Sequence, residues 1–152
     1  MRLGLFVVLL AITVTLPAQD LLPRFNADKD GLWLEGHDPV AYFNLHHAVK
    51  GSREYSAMHQ GATFRFISAA HRDLFIKEPQ RFLPQYGGWC AYAMGDSGKK
   101  VEVDPATFRI KDGKLFLFYN AYFNNTLTRW NKDERRLLPA ADGNWAKQKH
   151  KS

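Results

Sequence analysis

Two dipeptides, Gln60-Gly61 and Asp112-Gly113, constrain what this chain can fold into more than any other feature. Each sits between residues of strand character: Tyr55 to His59 and Ala62 to Ile67 around the first, Phe108 to Ile110 and Lys114 to Tyr119 around the second. Glycine supplies the positive φ that a two-residue hairpin turn demands, so both read as antiparallel hairpins. Phe64 and Phe66 fall on one face of the first. In the second, Leu115 and Leu117 face one way while Phe116 and Phe118 face the other, so both faces need cover and one of them needs a helix.

Helices are signalled around these hairpins. Ser68 is a good N-cap for Ala69 to Lys77, with Ala70, Leu74 and Phe75 as the apolar positions and Pro79 as the stop. Asp38 precedes Pro39, which forces Asp38 into an extended conformation and leaves its carboxylate available to cap the turn that sends Val40, Tyr42 and Phe43 into the core. Asn120 is read as the cap of a helix to about Lys132, with Tyr122, Phe123, Leu127 and Trp130 as its stripe, followed by a helix-like segment through Leu137, Leu138 and Trp145. Gly31 to Gly36 reads as a strand or extended segment, Gly95 to Lys100 as a loop, and Val101 to Val103 as a short edge strand. The expected fold class is α+β: a small antiparallel sheet from two hairpins with helices packed against it.

At 152 residues with 45% hydrophobic and 14% aromatic content, the chain is about one domain long and can bury a core of its own. The formal charge is +6, but the cations are dispersed in short groups: Lys99-Lys100, Arg135-Arg136 and a tail at 148–152 that reads as a frayed basic end. Without a clustered basic face, nucleic acid is not an expected partner. The start has a different character. Met1-Arg2 is followed by an apolar run from Leu3 to Leu16 and by Pro17-Ala18, the pattern of a secretory signal over residues 1–18. The run is shorter than the roughly 20 residues a bilayer span needs. The expectation is an exported chain, periplasmic or secreted, starting near Gln19 and without stable membrane insertion once the signal is cleaved. Residues 19–30 form an irregular lead-in, and 31–147 the folded domain.

Export gives weight to Cys90, the one cysteine of the chain. It cannot form an internal disulfide, and an unpaired thiol in an oxidising compartment is buried, bound or used. It lies in Pro84-Gln85-Tyr86-Gly87-Gly88-Trp89-Cys90-Ala91-Tyr92-Ala93-Met94. If Trp89 to Met94 is helical, Cys90 and Met94 are one turn apart on one face, which sets two soft sulfur atoms within reach of a single ion. The alternative is that the thiol is a small buried hydrophobe and Met94 fills a core gap.

Asp38-Pro39-Val40, a hairpin ending in Phe64-Arg65-Phe66-Ile67-Ser68, and a helix with Phe75, Pro79 and Phe82 resemble the YHS domain family, a small module related to TRASH-type metal-binding fingers. The similarity is closest to its exported single-domain members, through Gly36 to Phe43 and Pro84 to Ala91. Asp104-Pro105, Asp112-Gly113-Lys114-Leu115, Trp130 and Ala141-Asp142-Gly143-Asn144-Trp145 also fit, so the resemblance covers roughly residues 31–147. Metal-binding members carry cysteines where this chain has Ala41, Ile67 and, near the helix start, His71. With one thiolate to offer, the chain cannot build the closed thiolate set of a structural zinc site. What the resemblance leaves is Cys90, His37, His71 and Met94, a mixed soft set whose chemistry suits copper.

Two classes of function follow. One is an exported metal-handling accessory or trafficking protein that prefers copper, with Cys90 as the anchoring ligand and His37, His71 and Met94 as co-ligands. The other is a non-catalytic module for a small ligand or a protein partner, in which Cys90 is packing and Tyr86, Gly87, Gly88, Trp89, Tyr92 and Asp38 surround the ligand. Catalysis has less support. Cys90 with His37 or His71 and Asp38 has the residue types of a thiol triad, but the chain has no phosphate-binding glycine loop, zinc-protease helix or Gly-x-Ser-x-Gly elbow.

Overall fold

A computed structural model describes residues 24–149. The expected signal segment, the first part of the lead-in and the end of the basic tail lie outside the described residues. The element order is α1 (Pro39–Asn44), β1 (Ser52–His59), β2 (Ala62–Phe66), α2 (Ala69–Lys77), α3 (Pro79–Phe82), α4 (Ala91–Ser97), β3 (Asp104–Lys111), β4 (Lys114–Phe118), β5 (Asn120–Ala121), β6 (Asn124–Asn125) and α5 (Thr126–Lys149). The architecture is α+β. The strands form separate two-stranded antiparallel sheets, β1-β2, β3-β4 and β5-β6, and helices pack against them.

The two hairpins read from the Gly-containing turns are present, with Gln60 and Gly61 at φ 47° and 84° and Asp112 and Gly113 at φ 51° and 71°. β4 is the wall between two cores. Leu115 and Leu117 join Trp33, Val40, Tyr42, Phe64, Phe66, Phe75 and Phe82 on one side. Phe116 and Phe118 join Tyr86, Met94, Trp130 and Leu137 on the other. The period-2 alternation of side chains is what lets one strand serve both.

α2 keeps the expected bounds because Ser68 caps it, its hydroxyl accepting the His71 backbone N–H at 3.2 Å. Its buried face is narrower than expected. Phe75 packs on Phe64 and Phe66 with ring centroids 4.8 and 5.2 Å apart, while Leu74 is 40% exposed. One large ring fills the contact with the hairpin, so the neighbouring positions stay outside.

Four local expectations are corrected. Gly31 to Gly36 is no strand: Leu32 and Trp33 make isolated bridges to Thr63 and Ala27, and Leu34–Gly36 is a tight 3-10 turn. Gly95 to Ser97 belong to α4, which ends at Gly98 in the left-handed conformation. Val101 to Val103 is irregular. Asn120 starts no helix; Asn120 and Ala121 pair with Asn125 and Asn124 in a third hairpin whose turn is Tyr122-Phe123, and α5 begins only at Thr126. α5 then runs to Lys149 with a break at Asp133 (φ −140°) and Pro139 inside it.

The Gly87-Gly88 pair decides how the lead-in is held. Gln85–Gly88 is a 3-10 turn with Tyr86, Gly87 and Gly88 all at positive φ. A Cβ on Gly87 would stand 1.8 Å from the Arg24 carbonyl oxygen, and one on Gly88 would stand 2.8 Å from Trp33 Nε1. The close approach allows the Asn26 amide and the Trp33 indole N–H to donate to the Gly87 carbonyl, at 2.9 and 3.2 Å. Asn26 Nδ2 donates to the Gly88 carbonyl at 3.3 Å. The glycines therefore dock the chain's own residues 24–26 and Trp33.

Candidate functional site

Asp38 and His71 come together as one buried polar centre. Asp38 Oδ1 accepts the backbone N–H groups of Val40 (2.8 Å) and Ala41 (3.2 Å), capping α1, where Pro39 occupies the first turn. Oδ2 accepts the Ile67 N–H at 2.9 Å and lies 2.7 Å from His71 Nδ1. One carboxylate thus fastens α1, the end of β2 and the start of α2, and it uses four acceptor positions to do so. His37 is turned elsewhere: its Nδ1 lies 2.8 Å from the Leu34 carbonyl.

Cys90 forms a second centre. It stands at the N-cap of α4, with φ −55° and ψ 116°, so its side chain leaves the helix face that carries Met94. The two are linked by the Met94 N–H to Cys90 carbonyl bond at 3.0 Å. Cys90 Sγ accepts the Tyr119 backbone N–H at 3.4 Å and lies 3.4 Å from Thr126 Oγ1. The Thr126 hydroxyl donates its single proton to the Tyr119 carbonyl at 2.8 Å, so the Cys90 S–H is the donor in the sulfur–hydroxyl contact. The thiol is a hydrogen-bonded joint between α4, the end of β4 and the start of α5. Met94 is buried in the second core, and Gln148 Nε2 donates to its sulfur at 3.4 Å.

The four expected metal ligands are therefore held by different partners: His37 by Leu34, His71 by Asp38, Cys90 by Tyr119 and Thr126, and Met94 by Gln148. Among the described residues, no group of three or more His, Cys, Asp and Glu side chains is placed to hold a metal ion. A copper centre needs soft ligands converging on one point, and each of these four side chains makes its own contact within the fold.

Two clefts flank the Gly-Gly segment. One, of about 310 Å³, is lined by Tyr86 and Gly87 with Arg24, Gln60, Gln85 and Trp145. There the Tyr86 hydroxyl donates to Asp142 Oδ1 at 2.9 Å, and burial together with that bond pushes its pKa well above the usual phenol range. The other, of about 300 Å³, is lined by Cys90, Tyr92, Asp96, Asn124, Thr126 and Arg129 among others. The guanidinium of Arg129 lies 6.0 Å from the centroid of the Tyr92 ring. Asn124 Oδ1 is buried and has no hydrogen-bond partner.

The expected ligand-binding residues are thus divided. Tyr86 and Gly87 line the first cleft and Tyr92 the second, while Gly88 lies against Trp33 and Asp38 is enclosed with His71. Trp89 keeps a buried, unpartnered Nε1. No protein-family model, curated protein or solved structure matches this chain. Asn124, Thr126 and Arg129 escaped the sequence reading because they lie more than thirty positions beyond Cys90 and were assigned to a helix. The local sequence at Asn124 forms a glycosylation-type triplet, Asn124-Asn125-Thr126, which carries no information about a cleft.

Proposed function

We propose that this protein is an exported YHS-type binding module, non-catalytic, whose ligand site is the cleft beside Cys90. The observation that carries this reading is the unpartnered Oδ1 of Asn124, a residue in the wall of a cleft that Arg129 also lines. A buried acceptor without a donor costs about 1–3 kcal/mol, and a ligand N–H or O–H that satisfies it recovers that energy on binding. Arg129 favours an acid group and Tyr92 offers a ring face, so the ligand class is a small molecule with a hydrogen-bond donor and a carboxylate. Cys90 shapes the wall through its hydrogen bonds to Tyr119 and Thr126.

An amino-acid panel tests this, since each member carries both groups. Binding followed by thermal shift and calorimetry is expected for at least one class of side chain and is expected to be lost in Asn124→Leu. Leucine removes the acceptor and leaves the fold intact, because the buried oxygen made no bond to the protein. Retained binding in that variant would remove the cleft as the site. A copper titration against a chromophoric Cu(I) chelator discriminates the metal reading. One-to-one binding abolished in Cys90→Ser would restore copper with Cys90 as its anchor, whereas this proposal expects no stoichiometric competition.

A further inference from the structure

The turn of the third hairpin breaks the rule that the other two obey. Gln60-Gly61 and Asp112-Gly113 put glycine at the second turn position, but Tyr122 and Phe123 occupy the same two positions at φ 51° and 62°. Left-handed backbone is disfavoured for side chains of this size and suits Asn-Gly. Both rings also point away from the fold, with relative exposures of 92% for Tyr122 and 111% for Phe123. Conformational strain combined with full exposure of two aromatics gives no return in folding energy, which points to a use outside the fold.

We propose that the Tyr122-Phe123 tip is a membrane-surface anchor, inserting both rings into the headgroup region of an anionic bilayer. Two observations select a lipid surface over a protein partner. First, the two rings offer about 400 Å² together, at about 200 Å² each, below the roughly 600 Å² per partner at which stable protein interfaces begin. A bilayer interface accepts a protruding tip of that size, and amphipathic aromatic rings favour that zone. Second, the charges suit it. From Tyr119 to Thr128 the chain has no Asp, Glu, Lys or Arg, so nothing acidic borders the tip in sequence. The first charged residues after it, Arg129 and Lys132, are both exposed cations at the start of α5. The next acids are already engaged, Asp133 with Arg136 and Glu134 with Arg109 and Lys111. Asp96, on the Cys90 cleft with Arg129, is the one acid beside this cationic start that lines the same wall. Aromatic insertion with adjacent basic residues is the two-signal arrangement that peripheral attachment needs.

The test is vesicle flotation of the full chain and of the chain from Gln19, which keeps every described residue and excludes the apolar start as a source of binding. Vesicles of phosphatidylcholine with and without phosphatidylglycerol are compared. The chain from Gln19 is expected to float with the anionic vesicles and remain behind with the neutral ones. The double substitution Tyr122→Asn with Phe123→Gly installs the residues the turn prefers. It is expected to raise Tm while lowering partition into anionic vesicles by about tenfold or more. Lys132→Gln is expected to lower partition by about fivefold, the effect of one basic residue near the surface. Equal partition of the double variant and the wild type would overturn the proposal, as would partition indifferent to phosphatidylglycerol. Concentration-dependent dimerisation that the double variant abolishes would also overturn it, by giving the tip a second copy as its partner.

Discussion

Asp38 and Cys90 do the same mechanical job in opposite halves of the molecule, and they do it with different completeness. Each is a buried polar group that ties three segments together: α1, the end of β2 and the start of α2 at Asp38; α4, the end of β4 and the start of α5 at Cys90. A carboxylate taken out of water must be satisfied on every side, and Asp38 meets three backbone N–H groups and one imidazole at 2.7 to 3.2 Å. A thiol desolvates cheaply and tolerates two contacts at 3.4 Å, so its surroundings need not close. The cleft at Cys90 and the unpartnered Asn124 oxygen are found at the loosely satisfied centre. The difference teaches where a ligand has energy to gain: at the polar atoms the fold leaves unpaired.

Removing each centre should expose this asymmetry. Asp38→Ala leaves three amide donors and His71 without their acceptor and is expected to lower unfolding stability by about 3 kcal/mol or more in urea titration. A loss no larger than that of an ordinary surface substitution would break the comparison, because it would mean the carboxylate is not the fastening group. Cys90→Ser keeps a small donor and acceptor but replaces a buried sulfur by a more polar, shorter hydroxyl. The expected loss is about 1 kcal/mol by the same measurement. A loss equal to that of Asp38→Ala would place as much of the fold's stability on Cys90 as on Asp38.

The smallest effect concerns a third polar group that is partly exposed and belongs to neither centre. The hydrogen bond from Lys111, with help from the Arg109 and Lys111 charges, holds the Glu134 carboxyl below the usual carboxylate range against the opposing effect of burial. A depressed folded-state pKa stabilises the protein above the ordinary carboxylate value of 4.5, and that contribution is lost as pH falls through the folded value. Glu134→Gln is therefore expected to cost about 0.5 kcal/mol near neutral pH, with the difference from wild type vanishing in acid. Thermal unfolding across that range checks it. A difference that persists in acid would assign the effect to packing.

Legibility followed the range of the interactions involved. α2 was readable because its cap Ser68 and its stop Pro79 adjoin it in sequence, and Asp38 was readable as a cap for the same reason. Its partnership with His71, 33 residues away, was not, nor was the meeting of Cys90 with Thr126, 36 residues away. Tyr122 and Phe123 were misread because aromatic residues before Trp130 complete a helical stripe, and no local rule predicts two rings in a left-handed turn.

The sequence by itself determined the α+β class, the two Gly-containing hairpins, the helix after Ser68 and the isolation of a single thiol, since these rest on backbone preferences and side-chain periodicity over a few residues. Tertiary structure alone decided that Gly87 and Gly88 receive the chain's own Arg24 to Asn26, that the four soft side chains have four separate sets of partners, and that Asn124, in the wall of a cleft, keeps a buried oxygen without a donor. The physical reason is that hydrogen-bond satisfaction and close approach are pairwise properties of residues distant in the chain. They come into being only when β4 has been covered on both faces and the two cores have closed around it.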